Sequence, residues 1–216
     1  MIEKISTEHF AMSMVETVVR REPWEVSERL VQLQLGTIEQ LLQVRSVAIS
    51  ASADATPFHP ANSAGTFAYH YGTFALRNEY VGEVWRLERP DGVEAIVNEA
   101  IKVRVVFANV DVACNDDLGP KPRSRKGAGA ERVCMGNLFG SLPEFAPRQA
   151  DGWATFYLMV DDRGAAELTR PVVKNNTFNA WIERNYLSNG DDLDREMPAM
   201  LDGDVADGFD PEVVRK

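Results

Sequence analysis

A chain of 216 residues, 44% hydrophobic and 26% charged, is long enough to bury a core of its own and has the composition of a soluble globular protein. Its formal net charge of −10 disfavours non-specific binding to duplex DNA, because long-range repulsion acts before contacts form. No apolar run approaches the length of a membrane span, Glu3, Lys4, Glu8 and Glu16 interrupt any signal-peptide core, and Cys114 and Cys134 are too few for a disulfide scaffold, so a cytoplasmic protein with reduced thiols is expected.

Ser6 or Thr7 can cap a first helix running to about Glu22, and Pro23 suits the first turn of a second. From Trp24 to about Ser46, Val31, Leu35, Ile38 and Leu42 recur at helical steps, and Leu30, Leu33, Leu41 and Val44 widen the stripe. So broad a stripe predicts burial on more than one side, either as core or as the interface of a homodimer. Gly36 costs about 1 kcal/mol relative to Ala inside a helix, so a break or a close approach is expected there. Small residues, Pro57 and Pro60 make 50–64 a loop. Gly65 to Tyr80 predicts a third helix whose aromatic residues, Phe67, Tyr71 and Phe74 among them, serve a core better than a base-stacking platform.

Strand patterns follow. Val84–Arg89 and Val93–Val97 flank the turn Pro90-Asp91-Gly92, and Ile101–Phe107 alternates as a third strand. After a loop over 109–126, a helix is predicted from about Ala128 to Phe139. Trp153–Val160 and Ala165–Thr169 read as strands joined by the turn Asp161-Asp162-Arg163-Gly164, and Thr177–Tyr186 reads as a short final helix. The last 28 residues, Asn189–Lys216, hold nine acids and three bases. With so little apolar surface this segment is expected to stay disordered, its paired acids facing solvent.

The fold class predicted is α+β, with N-terminal helices packed on a mainly antiparallel sheet of about five strands and a basic loop and helix inserted over 109–139. The organisation expected is a helical part over 1–50, an α+β core over 65–188 and an acidic tail over 189–216.

Lys-Pro-Arg-Ser-Arg-Lys-Gly-Ala-Gly, from Lys121 to Gly129, is the basic segment of this acidic chain. Pro120 and Pro122 keep it extended. Lys121, Arg123, Arg125 and Lys126 then stand just before a helix start, where amide hydrogens are free, and Gly127 and Gly129 permit close backbone approach. Together these residues predict an anion site for an acidic protein surface, a phosphate ligand or a nucleic-acid backbone. The segment lacks P-loop spacing and the third glycine of a dinucleotide fingerprint. Asp91, Glu99 and Lys102 faintly echo a metal-dependent nuclease core, but Glu99 and Lys102 are three apart and would face opposite sides of a strand. His9, His59 and His70 have no ligand-spaced partner, and no serine sits in a nucleophile elbow, so the sequence offers no metal set and no cofactor motif. Cys134 reads as a small buried apolar residue.

Four segments share an order seen elsewhere. They are Val105-Val106-Phe107-Ala108-Asn109-Val110-Asp111; Pro120 to Gly127 with its helix ending Asn137-Leu138-Phe139; the strand Trp153–Val160 with its acidic turn and Glu167-Leu168; and Trp181-Ile182-Glu183-Arg184. Over about residues 83–187 this order resembles an uncharacterised bacterial protein family of unknown function. Asn109-Val110-Asp111 stands where a glycine-containing turn is expected. The resemblance implies that the basic loop recurs and brings no activity with it. The functional expectation is therefore a binding or accessory protein that holds an anionic partner at the basic loop. The alternative is an enzyme built on the same cradle, with Asn98, Glu99 and Asp111 converging on it.

Overall fold

A computed structural model describes residues 17–135, Asn137 and residues 152–193. The chain begins with β1 (Val18–Arg20), then α1 (Pro23–Gln32), α2 (Ile38–Ala53) and α3 (Ser63–Tyr80). Next come β2 (Arg86–Glu88), a 3-10 turn (Pro90–Gly92), β3 (Ala95–Asn98), β4 (Val103–Asn109) and the short helix α4 (Ala128–Val133). The described chain closes with β5 (Ala154–Val160), β6 (Ala166–Lys174) and β7 (Thr177–Ser188).

Gly36 does break the second predicted helix. It sits at φ +69, and a Cβ there would lie 2.0 Å from the Gln40 side chain. That side chain belongs to a capping box: Gln40 Oε1 accepts the Thr37 amide at 3.0 Å while the Thr37 hydroxyl accepts the Gln40 amide. The helices are not confined to the first 50 residues, since α3 spans Ser63–Tyr80 and a strand precedes α1. The predicted helix from Ser6 or Thr7 falls outside the described residues except at its end, where Val18–Arg20 pairs with β7 instead.

The sheet has seven strands in the order β1-β7-β6-β5-β4-β3-β2. The β1/β7 and β4/β5 pairs are parallel and the other four antiparallel. The two strands beyond the five expected are β1 and β7. Thr177–Tyr186 was expected as a helix and is the strand β7, whose large residues do not alternate cleanly. Register shifts at Ala166/Glu167, Arg170/Pro171 and Val172/Val173 explain this: each bulge moves a side chain to the other face and blurs the two-residue period.

Helices α1 to α3 cover one face. Val26, Leu30, Leu41 and Leu76 pack there on Val105, Phe107, Phe156 and Leu158. Most of the broad apolar stripe is thus spent on this chain's own sheet, with Val31 left exposed. The opposite face carries Val106, Ala108, Tyr157, Met159 and Phe178 against Ala130 and Cys134. β4 is therefore buried on both sides, which is why its sequence is so continuously apolar. Its expected polar side is buried too: Arg104 lies 4.5 Å from the Trp153 ring centroid.

Of the two acid pairs expected in solvent, one member of each is structural, while Asp162 and Asp191 are exposed. Asp161 is buried and accepts the amides of Ala113, Arg163 and Ala165 at 3.2, 3.0 and 2.9 Å. Asp192, within the segment expected as tail, holds the buried guanidinium of Arg45 through two bonds of 2.8 and 2.6 Å. Residues beyond Leu193 lie outside the described part. No helix among the described residues is long and apolar enough to cross a membrane.

Candidate anion-binding site

The site follows from the strand pairing. β3 covers β4 only as far as Ala95 opposite Val106, whereas β5 stays paired with β4 to Asn109 opposite Val160. The last three residues of β4 thus have an open flank. A parallel β4/β5 pair also needs a long crossover, and the basic loop lies in that connection. A cavity of about 670 Å³ forms at the open flank. The first half of α3 walls one side, the basic loop and Ala130 the other, and Asp91–Val93 one end. This is the carboxyl end of the parallel pair, the usual place for ligands on such sheets.

The loop is pinned at its neck. Val110 bridges Pro122, the Asp111 amide donates to the Lys121 carbonyl at 3.0 Å, and the Arg123 amide donates to Asn109 at 3.1 Å. Asp111 Oδ1 also accepts the Lys121 amide at 2.8 Å. Further along, the Lys126 amide donates to the Asn176 carbonyl at 2.9 Å, tying the loop to the turn between β6 and β7.

The predicted site residues divide. Lys121 sits at the neck and does not line the cavity, whereas Arg123, Arg125, Lys126, Gly127 and Gly129 do. The Arg123 guanidinium is already engaged, donating to the Val110 carbonyl at 3.1 Å and to Asp162 Oδ2 at 2.5 Å. Arg125 is exposed and has no ion-pair partner among the described residues. Lys126 is half-buried, with its ammonium 5.3 Å from the centroids of both Tyr157 and Phe178. Ring faces recover part of the cost of burying an ammonium. Burial still dominates and pulls the Lys126 pKa down to about 8.

Two expected features change meaning. α4 has six residues, too short for a sizeable dipole, so the positive charge comes from side chains and not from a helix start. Gly129 serves packing: a Cβ there would lie 2.2 Å from the Asp91 carbonyl oxygen. Gly127, by contrast, faces open space.

Asn98, Glu99 and Asp111 do not converge. Asn98 bonds Gln34 at 2.9 Å and Glu99 bonds Arg86 at 3.3 Å, both beside the start of β4, while Asp111 follows its end. The nuclease-like set is equally dispersed, since Asp91 pairs with Arg132 at 2.8 Å. No group of three or more His, Cys, Asp or Glu gathers in metal-binding geometry among the described residues. Cys134 is buried as read, its thiol 4.0 Å from the Tyr157 hydroxyl and pushed by burial up to about 12.

Sequence reasoning missed Tyr69, Asn109 and Tyr157, which also line the cavity. Asn109 donates to the Gly65 carbonyl at 2.7 Å and so fastens the end of β4 to α3. Burial raises the pKa of the Tyr69 hydroxyl, keeping it protonated at neutral pH. Asn109, within the strand-end segment Val105 to Asp111, was the available signal; Tyr157 looked like any strand aromatic.

Compared with known proteins, the chain matches no family model, no curated protein and no solved structure. The likeness drawn over 83–187 therefore brings no residue role to the cavity.

Proposed function

We propose that this protein binds a small anionic ligand, a phosphate ester or a carboxylate, in the cavity under the basic loop. The observation that carries the reading is Lys126: a half-buried cation on the cavity wall with two aromatic rings beneath it and no carboxylate partner among the described residues. A partly desolvated charge is costly to keep unpaired, and a ligand anion would offset that cost. Arg125, exposed and without an ion-pair partner among the described residues, adds a second cation with a planar fork of donors. The size of the recess favours a small molecule, because about 670 Å³ falls within the usual range of ligand pockets. An acidic protein surface or a nucleic-acid backbone would need a broad convex array of cations, and Arg123 is spent on Asp162.

Calorimetric titration of the full chain with pyrophosphate, citrate and a single-stranded oligonucleotide tests this. The reading expects saturable binding of a small anion, weakened about tenfold by Arg125→Ala, as the loss of one charge-assisted hydrogen bond implies. Binding should also weaken as salt rises. It is overturned if no small anion binds, or if the oligonucleotide binds and Arg125→Ala abolishes that binding.

A further inference from the structure

We infer that Lys126 is a nucleophile that forms an imine with the carbonyl carbon of an anionic aldehyde or ketone bound in the cavity. The inference rests on the anion-site reading and goes beyond it, from holding a ligand to reacting with it.

The geometry divides two jobs between neighbouring residues. Arg125, exposed at the rim, holds the acid group with its fork of donors. Lys126, deeper on the wall, presents an amine to the space in front of Tyr157. Lysines that react with carbonyls need a free lone pair, which requires an amine neither ion-paired nor fully hydrated. Lys126 meets both conditions: it is half-buried with its ammonium over two rings, and no carboxylate bonds that ammonium among the described residues. Burial supports the same conclusion by drawing its pKa to about 8, so about half the amine is neutral at that pH.

The charged and titratable groups around it do not reverse this. Tyr69 and His70 face the cavity from α3, Tyr157 from β5, Asp91 from the 3-10 turn, and Arg123 and Arg125 from the loop. Cys134, from α4, stays a neutral thiol at working pH. Asp91, the carboxylate in the lining, is taken by Arg132.

The chemistry balances without a further reagent. The amine lone pair forms the C–N bond as the carbonyl π pair moves to oxygen. Oxygen takes one proton and nitrogen loses one, giving a carbinolamine. Nitrogen then expels that oxygen, which leaves as water, and loses its remaining proton to give the neutral imine. One water is released and nothing is oxidised or reduced.

The test uses the full chain with limiting pyridoxal 5′-phosphate, and separately glyoxylate, followed by borohydride reduction and peptide mass mapping. The other lysines, Lys4, Lys102, Lys121, Lys174 and Lys216, are internal controls. We expect the reduced adduct on Lys126 at least tenfold ahead of any of them. Pyridoxine 5′-phosphate, the same anion without the carbonyl, should suppress labelling, and Arg125→Ala should slow it. Lys126→Arg keeps a cation over the rings, so it should melt within a few degrees of the unaltered chain yet lose the adduct. Adducts spread evenly over the lysines, or none, overturn the inference. If pyridoxine 5′-phosphate still binds in an Arg125-dependent way, the anion site survives that failure. Labelling of Lys126 that neither the competitor nor Arg125→Ala affects overturns the anion site, and with it the substrate class inferred here.

Discussion

Charge removed from water is handled in opposite ways at two places on this sheet, where Glu167, Glu183 and Arg184 are buried and Lys126 is half-buried. On β6 and β7 it is paired. Arg184 bonds Glu167 through two contacts of 3.0 and 2.7 Å, and Glu167 also accepts the Cys114 amide and the Thr169 hydroxyl at 2.7 and 2.6 Å. Nearby, Arg29 grips Glu183 at 2.6 and 2.9 Å. At the cavity Lys126 has aromatic rings and, among the described residues, no carboxylate partner. The first arrangement spends its charges on holding strands in register. The second leaves a cation uncommitted beside open space, the environment in which functional groups with shifted pKa values occur.

The comparison breaks if removing charge from the two places has the same effect on stability. The largest change is expected for Arg184→Met, which strands Glu167 in the interior and should cost about 3–5 kcal/mol in denaturant unfolding. Adding Glu167→Gln to Arg184→Met should recover part of that loss, because no unpaired charge then remains buried.

A smaller loss is expected at the chain's end. A chain stopped at Ser188 should be less stable than one stopped at Leu193 by about 1–3 kcal/mol, the range for hydrogen bonds to a charged group, since it lacks the Asp192 bonds to buried Arg45. The Arg45 bond holds the Asp192 carboxyl well below its ordinary value. A depressed carboxyl stabilises above its unfolded pKa, so the difference between the two chains should shrink as pH falls below about 4.

Lys126→Met should go the other way. Its pKa is lowered on folding, so the charged form disfavours the native state below about 8, and this penalty fades as pH rises toward 10.5. At pH 7 the variant should be more stable than the unaltered chain by on the order of 1–2 kcal/mol, allowing for partial solvent screening. By pH 10.5 thermal melts of the two should coincide. A loss at pH 7 would mean that Lys126 is a structural cation after all.

The finest distinction lies within the loop. Arg125→Ala should change stability by less than about 0.5 kcal/mol, whereas Arg123→Ala should cost about 1 kcal/mol through the lost bonds to Val110 and Asp162. Equal effects would mean that the loop's two arginines are equivalent.

Much of the first half was legible because its signals are local. Gly36 marked a break that its positive φ requires, Pro23 opened a helix, and the aromatic run ending at Tyr80 was helical. The turn at Pro90-Asp91-Gly92 was equally plain. The second half was less so. β7 looked helical because bulges against β6 broke its alternation. Asp161 and Asp192 looked solvated because their partners, Ala113 and Arg45, are far away in sequence.

The same boundary runs through the candidate site. By itself the sequence determined that a basic segment stiffened by prolines interrupts an acidic chain, and that it precedes a helix, since charge, proline and glycine act on their immediate neighbours. Only the tertiary structure decided that β3 stops short of the end of β4, that a cavity opens at that flank, and that of four neighbouring cations one is at the neck, one is spent on Asp162, one is exposed and one is half-buried over Tyr157 and Phe178. Burial and pairing depend on strands brought together across long stretches of chain, and no local pattern encodes which cation meets a carboxylate and which meets aromatic rings.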